Sequence, residues 1–171
     1  QHVPGDIVEC GCWHGHSAFI ILSTLAEQSP GYKGENFSIV DSFQGLSQPT
    51  DLDYTVPTSW KGRFSAQLEN VKKVLDDFPS VTYYEGFIPP VLSQLPERKY
   101  RFVHIDVDLA VPTMASIEYF YKRLSPGGIL ICDDYGFKTW SGTKKLVDAY
   151  VKKANCFAIQ LSTAQLLIKA P

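Results

Sequence analysis

The 171-residue sequence is short of most features that would assign it to a special class. It has four cysteines, Cys10, Cys12, Cys132 and Cys156, too few and too irregularly spaced for a disulfide framework. Three of them lie in or beside apolar runs, as small core residues do, and a reducing cytoplasm is the compartment expected. No apolar run approaches the ~18 residues needed to cross a bilayer, and no signal-peptide pattern stands at the start. There is no excess of positive charge. Sixteen Lys and Arg against 18 Asp and Glu leave a formal charge of -2, and a pI near 6.1 removes the electrostatic case for nucleic acid or an acidic membrane. Repeats, low-complexity tracts and linkers are absent. The only methionine is Met114 and the chain opens Gln1-His2-Val3-Pro4-Gly5, as expected of a fragment or processed form of a longer protein.

What remains is an ordinary globular composition. Apolar residues make up 44% and charged residues 20%, which excludes a disordered chain and predicts one domain over residues 1–171. Short apolar runs alternate with amphipathic stretches. Strands are expected at 5–10, 37–41, 81–85, 102–106 and 129–133, and helices at 17–28, 64–78, 113–124 and 143–153, with a helical turn at 90–95. Two further strands, 156–161 and 164–169, are separated only by Ser162-Thr163. That gap is too short for a parallel crossover, so the last pair is predicted to be an antiparallel hairpin. The alternation implies a mostly parallel α/β sheet with helices on both faces, and a ligand site beyond the carboxyl ends of the strands. Each of the first five strands ends in or beside an acid: Glu9, Asp41, Glu85, Asp106 and Asp133.

The first turn reads Glu9-Cys10-Gly11-Cys12-Trp13-His14-Gly15-His16-Ser17. Its glycines let the backbone turn sharply and approach a ligand, but the G-x-x-x-G spacing differs from the dinucleotide G-x-G-x-x-G and disfavours a nicotinamide dehydrogenase. The alternating cysteines and histidines suggest a zinc clip, yet four consecutive alternate positions wrap an ion poorly. Asp41 is placed to accept hydrogen bonds from two ribose hydroxyls, and Phe43 and Phe87 to flank an adenine. Each has a plain alternative, a turn-capping carboxylate for Asp41 and core aromatics for the other two. His104-Ile105-Asp106-Val107-Asp108 and Cys132-Asp133-Asp134-Tyr135-Gly136 put carboxylates at the ends of two strands expected to be neighbours. Like charges this close raise one another's pKa unless a cation sits among them, and oxygen ligands suit a hard ion such as Mg²⁺. Residues 47–62, with two prolines and several polar turn formers, are expected to be a mobile flap rather than core.

Several of these motifs, in this order, resemble the macrocin O-methyltransferase family. They are Gly5 to Trp13 followed by Gly15, Asp41-Ser42-Phe43-Gln44-Gly45-Leu46, Asp106-Val107-Asp108-Leu109 with Thr113, Pro126-Gly127-Gly128, and Asp133-Asp134-Tyr135-Gly136. The resemblance departs at Gln44, where the family commonly has Glu, and at Ala110, where it often has an aromatic. It implies a three-layer, Rossmann-like class I methyltransferase fold whose seven-stranded sheet runs 3-2-1-4-5-7-6 with strand seven antiparallel. It implies S-adenosylmethionine contacts at Glu9, Gly11, Gly15, Asp41 and around Gly86, with Trp13, Ser17, Ser42, Phe43 and Phe87 on the same turns. It also implies a divalent metal, Mg²⁺ or a similar ion, at Asp106, Asp133 and Asp134, with Asp106 as the catalytic base. The activity implied is metal-assisted O-methylation of a small hydroxylated molecule, a sugar of a glycosylated natural product, with a homo-oligomer left open. Family members carry an N-terminal segment that helps close the site, and the single domain is expected to lack it. The rival readings are a Mg²⁺-dependent phosphatase or phosphotransferase, through Asp106-Val107-Asp108, and a cofactor-binding module without catalysis.

Overall fold

The computed structural model describes residues 3–171. Eleven regular elements follow one another as β1 (Asp6–Cys10), α1 (His16–Gln28), β2 (Phe37–Asp41), α2 (Leu68–Val74), β3 (Thr82–Glu85), β4 (Tyr100–Ile105), α3 (Ala110–Tyr121), β5 (Leu124–Cys132), α4 (Ser141–Ala154), β6 (Phe157–Gln160) and β7 (Leu166–Lys169). The strands form one sheet in the order β3-β2-β1-β4-β5-β7-β6. The first five are parallel neighbours, and β7 runs antiparallel to both β5 and β6.

Period-two alternation distributes the strand side chains between two faces. Val8, Val103, Leu130 and Ile168 meet Ile117 and Phe120 of α3 and Val147 of α4 in the larger core, against which the half-buried Met114 packs. Ile7, Phe37 and Ile39 meet Ala18 and Leu22 of α1 and Val71 of α2 in the smaller one. The sheet is thus the middle of three layers. Its order reverses direction beside β1, where the crossovers to β2 and β4 part and open a crevice at the carboxyl ends.

Several boundaries differ from expectation. Helix α2 starts at Leu68 rather than at residue 64. Phe64 is left-handed (φ 61°), and the Arg63 carbonyl and Gly62 amide pair with Leu46 (2.8 and 2.9 Å), which holds residues 61–64 in a turn outside the helix. Helix α3 begins three residues early, at Ala110, because Pro112 falls in its first turn, where a missing N–H costs nothing. Strand β5 starts at Leu124, with Ser125 to Gly128 looped out of register against β4. The β6–β7 turn takes five residues rather than two, closed by the Leu161 amide on the Gln165 carbonyl (2.8 Å).

Candidate active site

The carboxyl ends of β1, β2 and β4 surround a cleft of about 240 Å³. Gly11 is fixed by the approach of two backbones. It is left-handed (φ 80°), and a Cβ there would lie 1.8 Å from the Asp106 carbonyl oxygen. The Gly11 amide donates to the Val40 carbonyl (2.9 Å) and the Asp106 amide to that of Cys10 (2.8 Å), so the ladders continue past the strand ends into the site.

Of the residues expected to hold a cofactor, Gly11, Trp13, Asp41, Ser42, Gly86 and Phe87 line the cleft. Four do not. Glu9 is fully buried under the turn, paired with His104. Gly15 starts α1 with φ 84°, packed toward Val71, and Ser17 lies in the first turn of that helix. Phe43, turned by its own left-handed backbone (φ 54°), is buried in the core between the sheet and helices α1 and α2. Asp41 has a second task. Its Oδ2 accepts the amides of Cys12 (2.8 Å) and Trp13 (3.3 Å), and its Oδ1 the amide of Phe43 (2.7 Å). A carboxylate has about four lone-pair positions, so three amides leave room for one ligand hydroxyl rather than two.

Among the described residues, one group of carboxylates is close enough to share a metal ion: Asp106, Asp108 and Asp134, each with an oxygen within 4.8 Å of the others. The expected trio was Asp106, Asp133 and Asp134. Asp133 and Asp134 are consecutive in the turn that ends β5, and their side chains diverge. Asp133 bonds to Gln165 of the β6–β7 turn and lies 3.8 Å from His104 Nε2. The third member of the close group is Asp108, whose backbone is left-handed (φ 62°) and whose amide donates to Asp134 Oδ2 (2.7 Å). The Thr143 hydroxyl of α4 donates to the Asp108 carbonyl (3.1 Å) and fixes that turn.

The charges are mutually unfavourable. Burial, then Asp133, pushes the Asp106 carboxyl up to about 7, partly countered by His104. Burial pushes Asp108 up to about 6, and burial with Asp108 and Asp106 raises Asp134 well above the carboxylate range. A hard cation among the three oxygens reverses the sign of each interaction, and the all-oxygen donor set fits Mg²⁺ or a similar ion.

Two residues escaped the sequence reading. His104 joins β1 to β5: its Nδ1 lies 2.9 Å from Glu9 Oε1 and its Nε2 faces Asp133. Burial would lower its pKa, but the bonds to Asp133 and Glu9 outweigh that and push it up to about 10. His104 in turn holds Asp133 below the carboxylate range. The spacing His104-Ile105-Asp106 carried the signal, since residues two apart on a strand share a face. The other residue is Asp53, in the segment expected to be a mobile flap. That segment is docked: its Val56 joins the adjoining Leu46 in a small buried cluster with Leu109 and Trp140, with Trp60 against it. Asp53 is 4% exposed and accepts the Ala110 amide of α3 (2.7 Å).

The sheet order and helix layers define the class I methyltransferase fold. Two solved structures share it at TM-scores of 0.83 and 0.81: the O-methyltransferase NovP, 23% identical, and the calicheamicin methyltransferase CalS11, 24% identical, each matched over 98% of this chain and 72% of its own. The sequence matches the model of the macrocin-O-methyltransferase (TylF) family over residues 1–161, and the chain belongs to that family. It is 30% identical over 144 residues to an 8-demethyl-8-(2,3-dimethoxy-alpha-L-rhamnosyl)-tetracenomycin-C 4'-O-methyltransferase of Streptomyces olivaceus, covering 78% of this chain and 54% of the relative. It is 27% identical over 146 residues to a mycinamicin III 3''-O-methyltransferase of Micromonospora griseorubida, covering 78% and 56%. The chain spans about half the length of these relatives. No helix among the described residues is long and apolar enough to cross a membrane.

Proposed function

We propose that this chain is the catalytic domain of an S-adenosylmethionine-dependent O-methyltransferase, assisted by a divalent metal, that acts on a sugar hydroxyl of a glycosylated small molecule. The observation that carries this is the convergence of Asp106, Asp108 and Asp134 at one end of the sheet, with Asp106 and Asp108 in the wall of the cleft that Gly11, Trp13, Asp41 and Phe87 also line. One relative acts by name on a rhamnosyl-tetracenomycin and another on mycinamicin III, and the rhamnosyl group of the first supports a sugar as acceptor. Four unpaired cysteines are in keeping with a reducing cytoplasm.

Methyl transfer from a sulfonium is an in-line displacement, so the protein must align donor and acceptor and help the acceptor lose a proton. The aromatic side chains of Trp13 and Phe87 and the remaining lone pair of Asp41 suit the nucleoside end of the donor. Asp106, in the cleft wall, is the residue positioned to take the hydroxyl proton, and as a carboxylate it depends on the ion to make that proton acidic. Asp108 and Asp134 complete the oxygen set with Asp106. A divalent ion held there supplies acidity to a hydroxyl and orients it.

The test is incubation with S-adenosylmethionine and a panel of aryl α-L-rhamnosides, with and without Mg²⁺, read by mass spectrometry. Gain of one methyl that depends on the ion supports the reading. Release of phosphate from a phosphomonoester, with no methyl transfer, would replace it by the phosphatase.

A further inference from the structure

The docked segment 46–62 and the acid-bearing loop after β4 share one buried carboxylate. Helix α3 begins at Ala110, two residues after Asp108, and its N-cap residue, Leu109, offers no side-chain cap. An uncapped helix start leaves backbone N–H groups without partners at the positive end of the helix dipole. Asp53 supplies what is missing from elsewhere in the chain. Its Oδ1 accepts the Ala110 amide (2.7 Å), while its Oδ2 accepts both the amide and the hydroxyl of Thr50 (2.9 Å each), so both oxygens are engaged.

The rest of the segment is seated with similar closeness. Leu109, between the acids and α3, packs with Leu46, Val56 and Trp140. The Thr55 hydroxyl donates to the Thr139 carbonyl (2.6 Å). The Leu52 carbonyl presses on Gly142 of α4 so tightly that a Cβ there would lie 1.8 Å from it. The two roots of the segment, Gly45 to Ser47 and Phe64, are walls of the cleft.

We propose that Asp53 is a positioning residue for methyl transfer: by capping α3 from the lid, it couples closure of the cleft to the placement of Asp106 and Asp108. The link to methyl transfer rests on the proposed function; the link between lid and helix rests on geometry alone. In this arrangement the lid cannot lift without uncapping the helix behind the acids. Conversely, a ligand that holds the lid roots down also holds the start of α3.

The test is amide hydrogen exchange on the whole chain, alone and with S-adenosylmethionine, with donor affinity measured by calorimetry. In Asp53→Ala, amides of residues 46–62 and of Ala110 should exchange at least tenfold faster while those of β1, β4 and β5 are unchanged, and the dissociation constant for S-adenosylmethionine should rise at least fivefold. Asp53→Asn should recover only part of both effects, because its amide oxygen can still accept the Ala110 N–H while its NH2 group cannot accept the Thr50 amide. Gly142→Ala leaves Asp53 intact, suits a helix better, and displaces the Leu52 carbonyl. It should loosen the lid in the same way, and it decides the matter if Asp53→Ala fails to fold. Lid exchange within twofold of wild type in these variants overturns the latch. A loosened lid with unchanged donor affinity overturns the coupling and makes Asp53 merely structural. Failure of the wild type to bind S-adenosylmethionine overturns the proposed function and the coupling with it, and leaves the exchange comparison to judge the latch.

Discussion

Asp106 directly follows β4, with His104 two residues behind it and Asp108 and Asp134 in reach of its carboxylate. On the proposed mechanism Asp106→Asn removes the proton acceptor and a charged metal ligand together, and turnover at saturating donor should fall by about 10²–10³-fold. Asp134→Asn should cost less, since an amide oxygen can still coordinate and can still accept the Asp108 amide. Steady-state rates on a rhamnoside acceptor separate the two. The same acids set a pH dependence of stability. Carboxyls at about 7 and about 6 in the folded chain stand against roughly 3.9 in the unfolded one. The folded state therefore binds more protons at these two groups between those values, so their contribution to stability is full below about pH 4 and is lost as the pH rises through 7. His104, pushed up to about 10, acts in the same sense at higher pH. In chelator, the thermal midpoint should fall between about pH 5 and pH 8, and Asp134→Asn should flatten the fall. A midpoint that rises over that interval would contradict the charge arrangement.

The turn after β1 is held from two sides, by the close approach of Gly11 to the Asp106 carbonyl and by the amides that Asp41 collects. Gly11→Ala meets both a left-handed backbone and a backbone clash. The first alone costs about 1–3 kcal/mol, so chemical denaturation should show a loss at least that large, together with weaker S-adenosylmethionine binding in calorimetry. The glycine and the acid at the end of β2 were legible in the sequence because their positions follow from strand and turn alone. For Asp41 the turn-capping alternative was legible as well, but its capture of the Cys12 and Trp13 amides depends on how the turn after β1 folds back. The start of α2 was missed, and the choice between adenine and core for Phe43 left open, for a related reason. Left-handed backbone at Phe43 and Phe64 redirects the chain at residues that do not advertise it, whereas periodicity assumes regular dihedrals on both sides.

At the scale of the whole molecule, the topology was readable because apolar runs, helical stretches and a hairpin too short to cross over leave few arrangements open. The acidic cluster was readable only as to its strands. Two neighbouring carboxylates in one turn can take different partners, and a sequence does not say that Asp133 turns to Gln165 and His104 while Asp134 faces Asp106 and Asp108. The domain separates its tasks: the turns after β1, β2 and β3 give the cleft Gly11, Asp41 and Phe87, while the acids come from the ends of β4 and β5. Chelation should therefore abolish methyl transfer while S-adenosylmethionine affinity stays within about threefold, a comparison of assay and calorimetry on one sample. Full transfer in excess chelator would dismiss the metal from the chemistry. Met114 lies on α3, the helix that Asp53 caps, half-buried against the larger core. Because it is the chain's only methionine, carbon-13 at its terminal methyl gives an NMR spectrum with one protein methyl signal. Each arrangement of that helix would then have its own peak, free of overlap, and their ratio could be followed as donor, acceptor and ion are added in turn.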